Sequence, residues 1–511
     1  MIVSSNKVIL KNTLMLYFRQ VLTVVVSLYT VRIVLDVLGV EDYGIYTVVA
    51  GLVTMFTFLK ATMSSATQRF FSYALGENDL QKLKKIFSVN LIIYLLIGVI
   101  SLVLLEILGL WFVNEKLNIP AERFDAAVMI YHLSVYTFFF TIFSTPFTSA
   151  IIAHEDMQIY AYLSIVEVLF KLLIVFLLSY LDGDKLVLYG ALLLIVSIFT
   201  GAIYIYISIR RYKECQIRKF YWDKAMFFEI VGFTGWTMFG QVSSVARNQA
   251  VTVLLNQMFN PIIVAASAIA KNISNQLLMF SNNFNSSMYP PIIKSYAIND
   301  KKSMFSLIYN GSKITFFLMW VFALPCYIEM EFILGVWLKN IPPNTVIFTQ
   351  LALIEVLINA VSLPVQTAAR APGKMKNYEL ILGIIQFGTF LASWFFLSKG
   401  SPAESVFIIA IFANLLMFLV RLVIVRNLIG LPLRDFFAKV VIPIAGVVFI
   451  SAPISVGIKN ILPKSILFSM ASLAACFMVI SMAVYFIGLD KEWRDKARTM
   501  ILSKIFKSKK L

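Results

Sequence analysis

The chain has 511 residues, of which 60% are hydrophobic, 14% aromatic and only 14% charged. Its mean hydropathy is +0.84, whereas ordinary soluble domains are about half apolar and about one quarter charged. This composition argues against a soluble globular protein, a disordered chain and a nucleic-acid-binding domain, and it predicts an integral membrane protein.

Fourteen stretches, taken in chain order, are long and apolar enough to be membrane-spanning helices, which need about 20 mostly apolar residues. They lie near residues 12–35, 44–70, 87–112, 126–150, 158–180, 186–209, 230–256, 262–290, 305–328, 345–369, 377–398, 404–425, 436–457 and 465–489. Such long continuous runs are unlike the alternating strands of a membrane barrel. The sequence therefore predicts an all-α fold.

Basic residues indicate how these spans are oriented. If the N-terminus faces the cytoplasm, 30 of the 44 Lys and Arg residues lie at cytoplasmic ends and 7 lie in the opposite loops. Cytoplasmic loops carry the excess of Lys and Arg in membrane proteins. We therefore expect both termini in the cytoplasm. The net charge of +17 then reflects topology and attraction to anionic membrane lipids, and predicts no nucleic-acid partner.

The two halves of the chain resemble each other. Asn78-Asp79 recurs 221 residues later as Asn299-Asp300. At an offset of 218, Pro146, Ala150, Ala153, Met157 and Tyr160 match Pro364, Ala368, Ala371, Met375 and Tyr378. Two repeats of six spans each have the same topology, so an axis along the membrane normal would relate them, as in some secondary transporters.

This repeat predicts five segments. Residues 1–209 form an N-terminal six-helix lobe, 210–229 a basic cytoplasmic linker, 230–428 a C-terminal six-helix lobe, 429–490 two additional transmembrane helices, and 491–511 a basic cytoplasmic tail. The expected fold class is an all-α integral membrane protein of about 14 transmembrane helices. Its two lobes would be related by a pseudo-two-fold along the membrane normal, with two further helices at the C-terminus.

Polar residues follow one face of several spans at helical spacing, which favours a hydrated interior over lipid contact. The predicted lining of this cavity consists of Arg19, Lys60, Arg247, Lys271, Asn248, Asn275 and Asn282. Excess positive charge suits an anionic group such as a phosphate. For any single residue, the alternative is a hydrogen bond between neighbouring helices.

Charged residues within spans have further interpretations. Glu355 is a candidate site for a coupling proton or sodium ion, but it could instead only neutralise Arg247. Lys171 follows Glu167 by four residues, so these two side chains should pair with each other. Arg32 and Lys313 lie near span ends, where we expect them to extend towards water.

Two prolines occupy corresponding spans of the two repeats. Pro146 and Pro364 each remove a helix hydrogen bond near a cytoplasmic end, which would allow bending at a gate. The alternative is that prolines are simply common in membrane helices. The three cysteines, Cys215, Cys326 and Cys476, form no CxxC motif, and His132 and His154 are the two histidines. We therefore expect no metal site and no cofactor.

Two local motifs point to a known family. The segment Leu38-Gly39-Val40-Glu41-Asp42-Tyr43-Gly44-Ile45-Tyr46 lies between the first two spans, and Gln68-Arg69-Phe70 leads into a basic loop. Together with the six plus six plus two arrangement, they resemble the polysaccharide-unit flippases of the multidrug/oligosaccharidyl-lipid/polysaccharide exporter superfamily. The resemblance extends over about residues 8–490.

That resemblance implies a function in cell-surface polysaccharide biosynthesis, such as that of O-antigen and lipopolysaccharide. A polyprenyl-pyrophosphate-linked oligosaccharide would move from the cytoplasmic to the periplasmic leaflet of a bacterial inner membrane by alternating access. Besides this substrate and membrane lipids, a polysaccharide polymerase and chain-length proteins are expected partners. A proton or sodium gradient is the expected energy source.

Two alternatives remain open from sequence. One is a proton- or sodium-coupled drug/cation antiporter of the same superfamily, which would favour acidic residues over Arg19 and Lys60. The other is a membrane enzyme, either a polyprenyl-dependent glycosyltransferase or an O-antigen polymerase. The short external loops argue against an enzyme, so we expect no catalytic residues.

Overall fold

A computed structural model describes residues 6–117, 119–217, 219–259, 261–338, 341–463 and 465–490, together with residue 494. Within these ranges the chain is helical and contains no strand. The all-α prediction is therefore confirmed. The basic tail 491–511 lies outside the described residues apart from Arg494, and the side chain of Arg32 is also outside them.

The first seven helices precede the linker. They are α1 (Asn6–Thr54), α2 (Thr57–Glu77), α3 (Leu80–Leu104), α4 (Leu110–Lys116), α5 (Phe124–Ala153), α6 (Met157–Tyr180) and α7 (Lys185–Arg211). A π-helical turn at Leu105–Gly109 joins α3 to α4. Helix α1 contains a break at Gly39, whose φ of 79° lies in the left-handed region that favours glycine. This break separates the first predicted span from the second.

Ten helices follow the linker. They are α8 (Lys224–Met258), α9 (Pro261–Ala297), α10 (Lys301–Ile328), α11 (Met330–Trp337), α12 (Thr345–Arg370), α13 (Lys376–Ser398), α14 (Ser405–Ile429), α15 (Leu433–Phe436), α16 (Ile442–Ile461) and α17 (Ile466–Ala483). π-Helical turns at Phe437–Val441 and Val484–Gly488 adjoin the last two.

All fourteen predicted spans fall in helices. By length and composition, twelve helical segments of the described chain could cross a membrane, which makes this a multi-pass membrane protein. The predicted spans 12–35 and 230–256 are outside those twelve, although they lie in α1 and α8. In 230–256, Gln241, Arg247, Asn248 and Gln249 lower the hydropathy.

The chain folds as two compact units. The first comprises residues 1–241 and 289–300, and the second comprises residues 242–288 and 301–511. Helices α8 and α9 therefore contribute residues to both units. The boundaries predicted from the sequence repeat, at residues 209, 229, 428 and 490, describe repeats of the chain and stay a prediction.

In the first unit, α5 is the central helix and packs against α1, α2, α3, α6 and α7. Phe147 of α5 contacts Phe87 of α3 edge to face, with ring centroids 5.3 Å apart. In the second unit, α12 packs between α10 and α14, and α10 also contacts α16 and α17. Pro146 lies in α5, and Pro364 lies at the corresponding position of α12.

Matching positions of the two sequence repeats have matching local structure. Asn78 and Asn299 are both left-handed, with φ of 55°. Ser64 and Ser149 lie 3.0 Å apart through their hydroxyls, and at the corresponding positions Thr367 donates to Asn285 over 3.3 Å. The sequence repeat is therefore accompanied by recurrent turns and helix-to-helix hydrogen bonds.

Candidate functional site

Four charged side chains of the first unit come together, and we name them the first cluster: Arg19, Lys60, Glu167 and Lys171. Lys171 Nζ donates to Glu167 Oε1 over 2.7 Å, which confirms the predicted pairing one helical turn apart. Lys60 and Arg19 also interact electrostatically with Glu167. Three cations therefore share one carboxylate.

The two predicted cavity residues of the first cluster come from different helices. Arg19 lies on α1 and Lys60 on α2, and both side chains are half-buried. The guanidinium of Arg19 lies 4.9 Å from the centroid of the Tyr160 ring on α6, where the ring face attracts a cation. Helix α6 thus holds Arg19 through an aromatic ring and provides a carboxylate nearby.

Four residues of the second unit also converge, and we name them the second cluster: Arg247, Lys271, Glu355 and Asn414. Arg247 Nη2 lies 3.8 Å from Glu355 Oε1. Asn414 Nδ2 donates to the same carboxylate oxygen over 2.8 Å. Lys271 interacts electrostatically with both Glu355 and Arg247.

The basic residues of the second cluster are also bound by neutral side chains. Lys271 Nζ donates to Thr252 Oγ1 over 3.0 Å. Arg247 Nη2 donates to Asn248 Oδ1 over 3.3 Å, whereas Arg247 Nη1 is buried without a hydrogen-bond partner in the described residues. One donor group of this guanidinium is therefore unsatisfied within the described residues.

Of the three predicted amide residues, Asn248 contacts the second cluster, whereas Asn275 and Asn282 lie on the exposed face of α9. Asn248 contacts Arg247, as described. Asn275 and Asn282 have exposed side chains on α9. They are seven residues apart and so lie on one face of that helix. The structure thus brings the predicted charged residues together within each unit, while Asn275 and Asn282 extend one polar face.

The two prolines predicted to allow bending are buried inside continuous helices. Pro146 lies seven residues before the end of α5, and Pro364 lies six residues before the end of α12. The corresponding connection carries a left-handed residue in both repeats, Glu155 with φ of 65° and Gly373 with φ of 80°. A gating role for these prolines stays a prediction.

The structure corrects the interpretation of Lys313. Its side chain is only 1% exposed and Nζ donates to Asp490 Oδ2 over 2.7 Å, so it does not extend to water. About two turns further along α10, Trp320 Nε1 donates to Ser451 Oγ over 2.9 Å. The two C-terminal helices are therefore bonded to α10 by pairs that the sequence pattern did not indicate.

The linker region also contains contacts that the sequence did not reveal. Tyr212 OH donates to Asp156 Oδ2 over 2.7 Å. His154 Nε2 and Glu214 Oε1 lie 2.5 Å apart, and Glu214 is buried. Burial raises the pKa of the neighbouring Cys215 thiol well above its usual value. These residues are far apart in sequence, so only tertiary packing identifies them as partners.

The chemistry available to both clusters is anion binding. Among the described residues, no group of three or more His, Cys, Asp or Glu could hold a metal ion. In each cluster, cations outnumber carboxylates. Arginine binds phosphate and carboxylate through paired hydrogen bonds, and lysine acts as a point charge.

Solved structures of transporters share this fold. The chain is similar to an outward-facing multidrug resistance MATE family transporter of the MOP superfamily, with a TM-score of 0.74 and 13% identity over 83% of this chain and 96% of that chain. It is also similar to a MOP superfamily transporter from Pyrococcus furiosus, with a TM-score of 0.72 and 13% identity over 82% of this chain and 96% of that chain. No curated protein sequence matches the chain.

The family comparison agrees with the motifs around Gly39 and Gln68. The family model described as polysaccharide biosynthesis protein matches residues 9–296, which is more than half of the chain. This match covers nearly all of α1, all of α2 to α8 and nearly all of α9. The predicted family is thereby confirmed: the chain belongs to the polysaccharide biosynthesis protein family and has the fold of the MATE transporters.

Proposed function

We propose that this protein is a flippase that moves a polyprenyl-pyrophosphate-linked oligosaccharide from the cytoplasmic to the periplasmic leaflet by alternating access. The observation that carries the proposal is the excess of cations over carboxylates in both clusters. The first cluster places Arg19, Lys60 and Lys171 around one acid, and the second places Arg247 and Lys271 around Glu355.

The sign of the charge favours this cargo. A pyrophosphate linkage carries negative charge and several acceptor oxygens, which match guanidinium and ammonium donors. Arg247 Nη1, buried and without a partner in the described residues, provides one such donor. The amides of Asn248, Asn275 and Asn282 would bind sugar hydroxyls.

The competing proposal is a drug/cation antiporter, and the same charge sign opposes it. A cationic drug near the first cluster would meet three cations and one carboxylate, and like charges repel. The similar transporter from Pyrococcus furiosus is described as having a binding pocket of reverse polarity that suggests a different function. A reversal of pocket charge would be consistent with a different cargo on this fold.

Cellular context follows from the same proposal. We place the protein in a bacterial inner membrane with both termini in the cytoplasm, where lipid-linked precursors are assembled. A polysaccharide polymerase and chain-length proteins would use the product on the opposite side. A proton or sodium gradient, rather than a bound cofactor, would supply the energy.

The test measures transport after single replacements in both clusters. The purified full chain is placed in liposomes with a polyprenyl pyrophosphate carrying a short fluorescent oligosaccharide, and dithionite quenching reports the outer leaflet. The variants are Arg19→Ala, Lys60→Ala, Arg247→Ala and Lys271→Ala. A hydrogen bond to a charged group contributes about 1.5–3 kcal/mol, so each variant should lower the transport rate roughly 10-fold to 100-fold.

The matched control is Arg434→Ala, because Arg434 is an exposed arginine on α15 outside both clusters. It should transport at the wild-type rate. Wild-type rates in all four cluster variants would refute the role of the clusters. Export of a cationic dye, with no movement of the labelled oligosaccharide, would favour the antiporter.

A further inference from the structure

The ion pair in the second cluster is loose. Arg247 Nη2 and Glu355 Oε1 are 3.8 Å apart, which exceeds hydrogen-bond length. The Arg247 side chain is nevertheless only 11% exposed, and its Nη1 has no partner in the described residues. Attraction at this distance neutralises the guanidinium without satisfying its donors.

A neutral side chain donates to the same carboxylate oxygen. Asn414 Nδ2 donates both to Glu355 Oε1 over 2.8 Å and to the carbonyl oxygen of Ala410 over 2.9 Å. Because both contacts need N–H donors, they fix the orientation of the amide. Glu355 therefore keeps one hydrogen bond whether or not Arg247 is near.

Two other cations on the helices that pack against α12 have partners away from Glu355. On α10, Lys313 donates to Asp490. On α14, Arg421 donates to Tyr378 and Ser362, and Glu404, which precedes α14, accepts from Asn344. Arg247 of α8 and Lys271 of α9 both interact with Glu355.

We infer that Glu355 is a displaceable counter-ion, which neutralises Arg247 in the empty protein and yields that arginine to a phosphate of the cargo. This inference rests on the proposed function. A buried cation without any counter-ion is costly, so an empty carrier needs an internal anion. A phosphate oxygen that approaches Arg247 to hydrogen-bond length outcompetes a carboxylate held 3.8 Å away.

The same competition assists release. When the cargo leaves, Glu355 again neutralises Arg247, so the guanidinium is not left without a counter-ion. Glu355 should therefore weaken cargo binding while increasing turnover. This combination distinguishes a competing counter-ion from a residue that only stabilises the fold, whose loss would reduce both affinity and turnover.

The experiment separates affinity from turnover in Glu355→Gln, which keeps the shape and removes the charge. Binding of polyprenyl pyrophosphate to the detergent-purified full chain is measured by calorimetry, and turnover is measured in the liposome assay. We expect binding to tighten on the order of 10-fold and turnover to fall by a similar factor. The matched control Glu331→Gln, at an exposed carboxylate on α11, should change neither.

Two further variants keep the inference falsifiable. Glu355→Asp retains the charge and should stay within about 3-fold of wild type in both constants. In an Arg247→Gln background, Glu355→Gln should tighten binding much less than in the wild type, because the arginine for which it competes is gone. Weaker or unchanged binding in Glu355→Gln would overturn the inference. Failure of the wild-type protein to bind or move the probe would instead refute the proposed function.

Discussion

The two clusters differ in how each carboxylate is paired. In the first unit, Glu167 accepts from Lys171, which lies one turn away on the same helix, over 2.7 Å. In the second unit, Glu355 has no basic residue four positions away on α12, and Arg247 approaches it from α8 at 3.8 Å. A pair within one helix persists whenever that helix is folded. A pair between helices can separate without unfolding either one, which suits an exchangeable charge.

A second contrast occurs at the connection that follows each proline-containing helix. The first repeat has His154-Glu155-Asp156 there, and each of these side chains binds a different partner. The second repeat has Pro372-Gly373-Lys374, with Gly373 at φ of 80°. The first repeat thus holds this turn with charged contacts, whereas the second uses the conformational freedom of glycine.

The largest expected effect concerns Glu155, whose carboxylate accepts from Lys294 over 2.6 Å. The two side chains are 8% and 12% exposed. Glu155→Ala should lower the free energy of unfolding by about 3 kcal/mol, because it leaves a buried lysine unpaired. Thermal unfolding in detergent measures the loss.

The charge-reversed double variant Glu155→Lys with Lys294→Glu is the control for this pair. It should recover most of the lost stability, since the ion pair is rebuilt with opposite polarity. Equal instability of the single and double variants would show that the turn does not depend on this contact.

The next largest effect concerns Asn414 of α14, which donates to Glu355 of α12. Replacing it with Leu removes the hydrogen bond to Glu355 and should cost about 2 kcal/mol, because a partly buried charged acceptor loses its donor. In the first repeat, Ser197 of α7 makes only neutral contacts with α5, to the Thr137 carbonyl oxygen over 3.4 Å and to the Thr141 hydroxyl over 3.1 Å. Ser197→Ala should therefore cost about 0.5 kcal/mol. Equal losses of thermal stability in both variants would contradict a special role for Asn414.

Hydropathy and internal repetition predicted the fold, since the positions of Pro146 and Pro364 within the repeat are enough to identify two corresponding helices. The site was predicted less completely. Glu167 and Lys171 are neighbours on one helix, so their spacing revealed the pair. Lys313 and Asp490 are 177 positions apart, and no periodic pattern connects them. Which distant side chains meet depends on helix packing, and periodicity along one sequence does not reveal that packing.

Gly373 provides a smaller test of how the second repeat forms its turn. Its φ of 80° is strained for any residue with a Cβ, so Gly373→Ala should reduce the free energy of unfolding by about 1 kcal/mol. Gly388 on α13 is the control, since a Cβ there would meet nothing within 4 Å. Gly388→Ala should be neutral or slightly stabilising because alanine favours helices. Indistinguishable thermal unfolding of the two variants would contradict a strained turn.

The smallest expected effect concerns a contact between two helix N-termini that occurs in each repeat. Arg123 donates to Asp184 over 2.6 Å and also pairs with Asp42, whereas in the second repeat Asn344 donates to Glu404 over 2.6 Å. The hydrogen bond from Arg123 lowers the pKa of Asp184 below its ordinary value.

The sign of the pH dependence follows from that lowered pKa. Asp184 contributes stability above its unfolded pKa of about 4, and this contribution disappears as the pH falls through the lower folded value. Wild-type protein should therefore lose thermal stability between pH 5 and pH 3, by about as much as one surface ion pair provides.

The variant Asp184→Asn isolates this charge. Its side chain can still cap α7 through the contacts that Asp184 makes to the backbone of Leu186 and Val187, but it cannot titrate. It should therefore be slightly less stable than wild type at neutral pH and lose less on acidification. If both proteins lost the same thermal stability on acidification, the charge of Asp184 would contribute nothing through its pairing with Arg123. The contact would then be equivalent to the one that the neutral donor Asn344 makes in the second repeat.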